Sequence, residues 1–188
     1  MDERQPKTAL ILVDVINSFF EPGQPNYYQG VEAVLEPMRA LRASARKSGA
    51  LVVHAVERHR PGFDDFEWGK LPVHHLEGAG DARFFADFAP DGPNETVVWK
   101  RRFSAFFATD LALFLNEQAV RRVVIAGVKT NVCIRATAQD AFANGFEPVI
   151  PREATNSNRP HLAEASLEDI DRYMGRVVSL GEAVEMLS

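Results

Sequence analysis

Cysteine is nearly absent from this sequence, which has one in 188 residues. A single cysteine excludes an intrachain disulfide and is typical of proteins from reducing compartments, so we expect a cytoplasmic location. Long apolar runs are also missing, because no segment reaches the roughly 20 residues that a membrane-spanning helix needs. The polar residues 1–8 do not resemble a secretory signal. We therefore expect no membrane partner.

An excess of basic residues is lacking as well. The chain has 21 Lys and Arg against 26 Asp and Glu, a net charge of −5. Nucleic-acid binders usually carry a basic stripe, and the longest basic run here is Lys100-Arg101-Arg102, so we expect no nucleic-acid partner. Hydrophobic residues make up 46% of the chain, which is enough for a core. The length predicts one domain over residues 1–188.

What the sequence does contain is a regular alternation of apolar runs and helical patterns. Strands are predicted at residues 8–13, 50–56, 96–99, 122–127 and 146–150, with a short sixth at 177–178. Helices are predicted at residues 31–47, 109–118 and 132–143, in a segment ending near 174, and at the end of the chain. Unbroken apolar strands alternating with helices predict an α/β fold of three α/β/α layers, Rossmann-like, with a mainly parallel six-stranded sheet.

Details of this pattern raise three further expectations. Pro37 favours a start of the first long helix close to that residue. Ser166, with Asp169 three residues on, favours a late start for the fourth helix. Residues 58–92 are rich in Pro, Gly, His and acidic residues, and we expect them to form an excursion over the active-site end of the same domain.

Three reactive side chains stand at the ends of predicted strands. Asp14 ends the first strand, Lys100 ends the third, and Cys133 follows the fourth by a short turn. Ligands bind beyond the carboxyl ends of the strands in open parallel sheets, so the three are expected to meet at one rim. A carboxylate can take a thiol proton there, and a lysine can stabilise developing charge. Singly, each has an ordinary alternative: a turn aspartate, an exposed lysine and a buried, inert cysteine.

The turn before Cys133 favours a nucleophile. Residues 127–133, GVKTNVC, leave a strand and enter a helix, with Thr130 as the candidate N-cap. Cys133 is then expected in the first helical turn. Free amides and the positive helix end at that place lower a thiol pKa and can bind an oxyanion.

Three motifs together resemble one known family. Residues 10–20 (LILVDVINSFF) are similar to the LLVIDxQxxF opening of the isochorismatase-like cysteine hydrolases, with Asn17 departing slightly from that pattern. Residues 100–106 (KRRFSAF) resemble the family's K-x-x-x-SAF segment, and GVKTNVC followed by IRATA resembles its nucleophile turn. The superfamily includes nicotinamidases, N-carbamoylsarcosine amidohydrolases and ureidoacrylate amidohydrolases.

The resemblance implies an Asp14–Lys100–Cys133 triad and a cis peptide before Lys129. The amides of Lys129 and Cys133 would form the oxyanion hole, and a homo-oligomer is implied. The implied activity is cleavage of a C–N bond in a small amide or ureido/N-carbamoyl substrate through a thioester. Two alternatives stay open: an isochorismatase-type vinyl-ether hydrolase, which releases no ammonia, and a non-catalytic binding or regulatory homologue, whose cysteine would react slowly.

Two sets of further residues complete the expected site. In nicotinamidases, which the chain resembles at the superfamily level, a D-x-H pair and a later His bind a metal. The matching residues are Glu57, His59 and His74, and the glutamate argues against nicotinamidase activity. We expect no cofactor, with a divalent metal at these three residues as the less favoured alternative. The candidate substrate-binding residues are Phe19, Phe20, Tyr28, Phe103, Phe106, Asn131 and Arg102.

Overall fold

A computed structural model describes residues 6–188. Within that range the strands are β1 (Thr8–Val13), β2 (Leu51–Glu57), β3 (Glu95–Lys100), β4 (Arg122–Val128), β5 (Glu147–Pro151), β6 (Thr155–Asn156) and β7 (Arg176–Val178). The α-helices are α1 (Asn17–Phe20), α2 (Leu35–Ser48), α3 (Leu111–Glu117), α4 (Arg135–Ala143), α5 (Pro160–Tyr173) and α6 (Leu180–Met186). All strand pairs are parallel, in the order β3-β2-β1-β4-β5-β7, and the two-residue β6 pairs with the end of β4.

The sheet is covered on both faces, which confirms the predicted three-layer α/β fold. The central strand β1 is buried along its whole length, and its side chains alternate between two cores. Leu10 and Leu12 pack on the side of α2 and α6, whereas Ile11 and Val13 pack on the side of α3, α4 and α5. Strands buried on both faces need apolar residues at every position, and this explains the unbroken run TALILV.

The first residues of α2 and α5 agree with the sequence prediction in one case and differ in the other. The helix α2 begins at Leu35, so Pro37 lies in its first turn as expected. The prediction that the fourth long helix starts late, near Ser166, is wrong. This helix, α5, begins at Pro160, whose fixed φ suits the first turn of a helix. The Ser166 hydroxyl donates to the Leu162 carbonyl (2.7 Å) and does not cap a helix.

Strands β1 and β4 leave no room for a side chain at Gly127. A Cβ atom at this residue would lie 2.1 Å from the Val13 carbonyl oxygen, and the Gly127 φ of 122° is one that side chains disfavour. Glycine therefore lets β4 run beside the last residue of β1. That contact brings the segment after β4 next to Asp14, which follows Val13.

The long connection between β2 and β3 first passes over the carboxyl ends of the strands and then runs beside α2 to the amino end of β3, since Arg42 donates to the Asp87 and Ala89 carbonyls. Its only helical segments among the described residues are 3₁₀ turns at Phe66–Gly69 and Ala86–Phe88. It is tied to the loop after β1, since Asn17 N donates to Arg83 O (2.9 Å) and Phe85 N donates to Val15 O (3.1 Å). Among residues 6–188, no helix has the length and apolar character required to cross a bilayer.

Candidate active site

Asp14 is held at the end of β1 by its backbone and by its side chain. Its φ of 55° is left-handed, so the chain turns sharply out of the strand at this residue. The Asp14 amide donates to Ala55 O, and its carboxylate Oδ1 accepts a hydrogen bond from the Glu57 amide, both at 2.9 Å. These bonds to β2 fix the carboxylate at the rim, where it is fully buried.

Lys100 reaches the same place from β3. Its neighbour in the sheet register is Glu57 on β2, and its side chain extends past β2 toward β1. Lys100 Nζ lies 2.8 Å from Asp14 Oδ2 and 3.8 Å from Cys133 Sγ, and neither charged side chain is exposed. The structure thus brings together the three side chains that the sequence predicted to meet.

Cys133 lies in a π-helical turn, Thr130–Ile134, that precedes α4. The peptide bond between Val128 and Lys129 is cis, as the family resemblance implied. The expected N-cap at Thr130 is wrong, because Lys129 holds the cap position and no side chain caps the turn. The Thr130 hydroxyl is instead paired with the Thr155 hydroxyl at 2.8 Å, which ties the turn to β6.

The electrostatics of the triad differ from the expectation. Burial opposes the charge of Lys100, but Asp14, Cys133 and Glu57 outweigh it and raise the pKa of Lys100 well above its ordinary value. Burial also raises the pKa of the Cys133 thiol well above its ordinary value; Lys100 opposes this shift, and Asp14 adds to it. The expected lowering of the thiol pKa by the helix end is therefore wrong.

A cavity of about 290 Å³ opens above the thiol, at the small end of the range for ligand pockets. It is lined by Phe19, Asn26, Glu57, Leu71, His74, His75, Phe103, Lys129, Val132 and Cys133. Two predicted substrate-binding residues, Phe19 and Phe103, are thus on its wall. The cavity is small and combines apolar walls with the polar side chains of Asn26, Glu57, His74, His75 and Lys129, so it suits a small molecule that carries polar groups on a short apolar frame.

Two other predicted aromatic residues are packed in the cores and do not line this cavity. Phe20 is buried on the α2 side and contacts Phe85, with 5.4 Å between ring centroids. Phe106 is buried on the opposite side and contacts Phe146 at 5.7 Å. Both follow their catalytic candidates closely in sequence, but the turns after β1 and β3 aim them inward.

The three polar candidates also lie off the cavity wall. Tyr28 donates a hydrogen bond to Asn156 Oδ1 (2.7 Å), although its ring faces Lys129. Asn131 accepts a 2.6 Å hydrogen bond from the Ser157 hydroxyl and lines a neighbouring surface groove. Arg102 forms ion pairs with two acidic residues of the β2–β3 connection, Asp65 at 3.1 Å and Glu67 at 3.6 Å.

Sequence reasoning missed several cavity residues. Asn26, Leu71, His75 and Val132 had no motif that singled them out. His75 could have been suspected, because it adjoins His74. It binds Glu57 Oε2 through Nδ1 (2.9 Å), and its φ of 48° shows a backbone held in an uncommon conformation.

A group of buried acidic and histidine side chains lies beside the cavity. Glu57, His59, Glu67 and His74 each offer one ligand atom, and these atoms all lie within 4.8 Å of one another. Glu67, in the 3₁₀ turn Phe66–Gly69, was not anticipated. Among residues 6–188, Glu57 Oε1, His59 Nε2 and both Glu67 carboxylate oxygens are buried without a hydrogen-bond partner.

The rings of His59 and His74 are oriented by hydrogen bonds at Nδ1. His59 Nδ1 is paired with Asp65 Oδ2 (2.9 Å), and His74 Nδ1 is paired with Pro72 O (2.6 Å). Each ring therefore directs Nε2 into the group, the arrangement that metal-binding histidines usually show. Burial raises the pKa of Glu67, and nearby Glu57 raises it further, because two buried carboxylates repel each other. These buried nitrogen and oxygen atoms without hydrogen-bond partners are suited to bind a divalent cation. The structure thus supports a metal here more strongly than the sequence did, which disfavoured one.

Comparison with known proteins identifies the family of the chain. The isochorismatase domain matches residues 8–182. This chain belongs to the isochorismatase family. Membership in the isochorismatase family confirms the resemblance seen in the three sequence motifs.

Two curated relatives in the isochorismatase family align with nearly the whole chain. A maleamate amidohydrolase from Pseudomonas putida is 40% identical over 186 residues, covering 96% of this chain and 87% of the relative. An N-carbamoylsarcosine amidase from an Arthrobacter species is 30% identical over 188 residues, covering 96% and 71%. The names of both relatives describe hydrolysis of an amide-type C–N bond.

A solved isochorismatase-like structure superposes on the fold. The crystal structure of a pyrazinamidase of Pyrococcus horikoshii in complex with zinc has a TM-score of 0.84 and 29% identity. The match covers 93% of this chain and 99% of the other.

Proposed function

We propose that this chain is a cysteine amidohydrolase that releases ammonia from a small amide or ureido substrate through a thioester on Cys133. One observation carries the proposal: Cys133 Sγ lies 3.8 Å from Lys100 Nζ, which lies 2.8 Å from Asp14 Oδ2, at the base of a cavity. A nucleophile, a base and a cation within contact of one another are the parts that acyl transfer requires.

The first half of the reaction forms the acyl-enzyme. Asp14 accepts the thiol proton as Cys133 Sγ attacks the carbonyl carbon, and Lys100 stabilises the negative charge that develops. We place this proton transfer in the step that attacks the bound substrate, because burial raises the pKa of the Cys133 thiol. The C–N bond then breaks, Asp14 returns the proton to the leaving nitrogen, and ammonia departs.

The second half restores the enzyme. Water attacks the thioester carbonyl and gives a proton to Asp14, the C–S bond breaks, and the sulfur takes the proton back. The sum is amide plus water giving acid plus ammonia. Asp14 acts as base and then as acid in each half.

Backbone amides in the turn complete the site. Val132 N and Ile134 N both donate to Lys129 O, at 3.0 and 3.2 Å, so these two amides are occupied. The amides of Lys129 and Cys133 are our candidates for the oxyanion hole. Donors fixed before the reaction are worth more than donors that must reorganise.

We also propose that Glu57, His59, Glu67 and His74 hold one divalent metal beside the cavity. His and carboxylate ligands suit zinc among the common metals. A metal bound there would supply Lewis-acid polarisation of a substrate or water oxygen. Asp65 supports it by fixing the His59 ring (2.9 Å), and Glu57 joins the metal group to the cavity wall.

The substrate class follows from the cavity and the relatives. Maleamate and N-carbamoylsarcosine are small molecules that carry a primary amide or a ureido group, and we propose a substrate of this class. The decisive experiment is ammonia release from a panel of such compounds by the wild type and by Cys133→Ala and Cys133→Ser. Turnover retained in either variant would remove Cys133 as the nucleophile, and hydrolysis of a vinyl ether without ammonia would favour the alternative enzyme.

A further inference from the structure

The side chain of Lys129 is a cation that the proposed reaction does not use. Only the backbone amide of Lys129 enters the mechanism, yet its side chain lines the cavity that contains Cys133. The ammonium lies 5.7 Å from the centroid of the Phe19 ring and 5.3 Å from that of Tyr28. The two rings hold the charge at the cavity wall without neutralising it.

Two other cations near the site have acidic partners. Lys100 is paired with Asp14 at 2.8 Å, and Arg102 is paired with Asp65 at 3.1 Å. Among residues 6–188, Lys129 has no acidic partner within 4.0 Å. Burial lowers the pKa of Lys129, while the Cys133 sulfur opposes the shift. A half-buried ammonium of this kind gains from an anion that enters the cavity.

We infer that the Lys129 ammonium determines specificity by binding a carboxylate of the substrate. The inference rests on the proposed function and deepens it. The cleaved carbonyl lies at Cys133, the carboxylate lies at Lys129, and the short apolar linker between them contacts Phe19 and Val132, which line the same cavity. The substrate is therefore a small acid that also carries a primary amide or a ureido group.

Matched pairs of substrates test the role of the charge. Succinamate and succinamide differ in one carboxylate, and so do N-carbamoylglycine and its amide. In each pair the wild type should have the higher kcat/KM for the acid. Whether succinamate or N-carbamoylglycine is turned over faster distinguishes an amide substrate from a ureido substrate. In Lys129→Met the acid-to-neutral ratio of kcat/KM should fall at least about 10-fold, mainly through KM. Lys129→Arg should restore part of it.

Lys47→Met is the matched control, since Lys47 is exposed in the last turn of α2, and its ratio should stay at the wild-type value. Succinate binding to Cys133→Ala, followed by calorimetry, gives a readout without turnover. It should weaken at least about 10-fold when Lys129→Met is added. An unchanged ratio in Lys129→Met, a wild type that prefers neutral amides, or an equal loss of kcat on both members of a pair would overturn the inference. Absence of ammonia from every wild-type reaction would instead overturn the proposed function.

Discussion

Asp14 and Lys100 form an ion pair of 2.8 Å in which neither side chain is exposed to solvent. A buried ion pair is balanced between the cost of removing two charges from water and the gain from their attraction. Removing one charge leaves the other buried and uncompensated, which is strongly destabilising. The ion pair of the proposed catalytic group therefore also links the end of β1 to the end of β3, across β2.

We predict that Asp14→Asn lowers both turnover and stability. Loss of the base should reduce kcat at least about 100-fold, and the unpaired Lys100 should reduce the free energy of unfolding by about 3 kcal/mol. Ammonia release and urea denaturation measure the two effects. Cys133→Ala is the control, because it keeps the ion pair: it should abolish turnover while costing about 1 kcal/mol or less. Asp14→Asn with wild-type turnover would contradict the assignment of the base.

The raised pKa of Cys133 predicts slow alkylation at neutral pH. The thiolate is the reactive form, so the rate of iodoacetamide labelling should rise about tenfold per pH unit from pH 7 to 9. Lys100→Met should slow labelling further at each pH, because the Lys100 charge opposes the rise of the thiol pKa. Mass spectrometry of the labelled Cys133 peptide measures the rates. A rate already at its plateau at pH 7 would show a thiolate in the free protein.

The fold and the meeting of Asp14, Lys100 and Cys133 could be predicted because their signals are local. An apolar run such as TALILV is dictated by burial on both faces, and parallel strands align their carboxyl ends. Asp14, Lys100 and Cys133 each stand at a strand end or in the turn that follows, so topology alone brings them together.

The rest of the site could not be predicted because it depends on nonlocal packing. Phe20 and Phe106 are neighbours of the triad in sequence, but the turns direct them into the two cores. Glu67 comes from the long β2–β3 connection, whose path has no periodic pattern. The thiol pKa is raised by burial, with Lys100 opposing and Asp14 adding to the shift, and these contacts join parts of the chain that are distant in sequence.

The orientation of His59 by Asp65 predicts a graded loss of metal. His59→Ala removes a proposed ligand, and zinc retained after dialysis should fall from about one equivalent to almost none. Asp65→Asn keeps the ligands but weakens the hold on His59, so the zinc affinity should fall about 10- to 100-fold. Elemental analysis and competition with a chelator measure these effects. His161→Ala is the control, since His161 is exposed on α5; equal zinc content in all four proteins would contradict the proposed metal site.

Glu95 forms a second buried network, at the opposite ends of the strands. Its side chain is 1% exposed, and it accepts hydrogen bonds from Arg42 (2.7 Å), Arg46 (2.6 Å) and His54 (2.9 Å). Burial alone would raise its pKa, but the bonds from these partners outweigh burial and lower the pKa of Glu95 to about 2, from an ordinary 4.5. The network ties the start of β3 to α2 and β2.

We predict that this network makes the fold sensitive to acid. Because the folded-state pKa of Glu95 is depressed, its contribution is present above pH 4.5 and is lost as the pH falls from 4.5 through about 2. The shift corresponds to about 3 kcal/mol at most. Glu95→Gln should therefore lower the free energy of unfolding at pH 7 and flatten its fall between pH 4.5 and 2, as measured by urea denaturation across that range. Glu36→Gln, which removes an exposed partner of Arg39, should change stability by less than about 1 kcal/mol and keep the wild-type slope. A wild-type slope in Glu95→Gln would show that other carboxyl groups govern the acid transition.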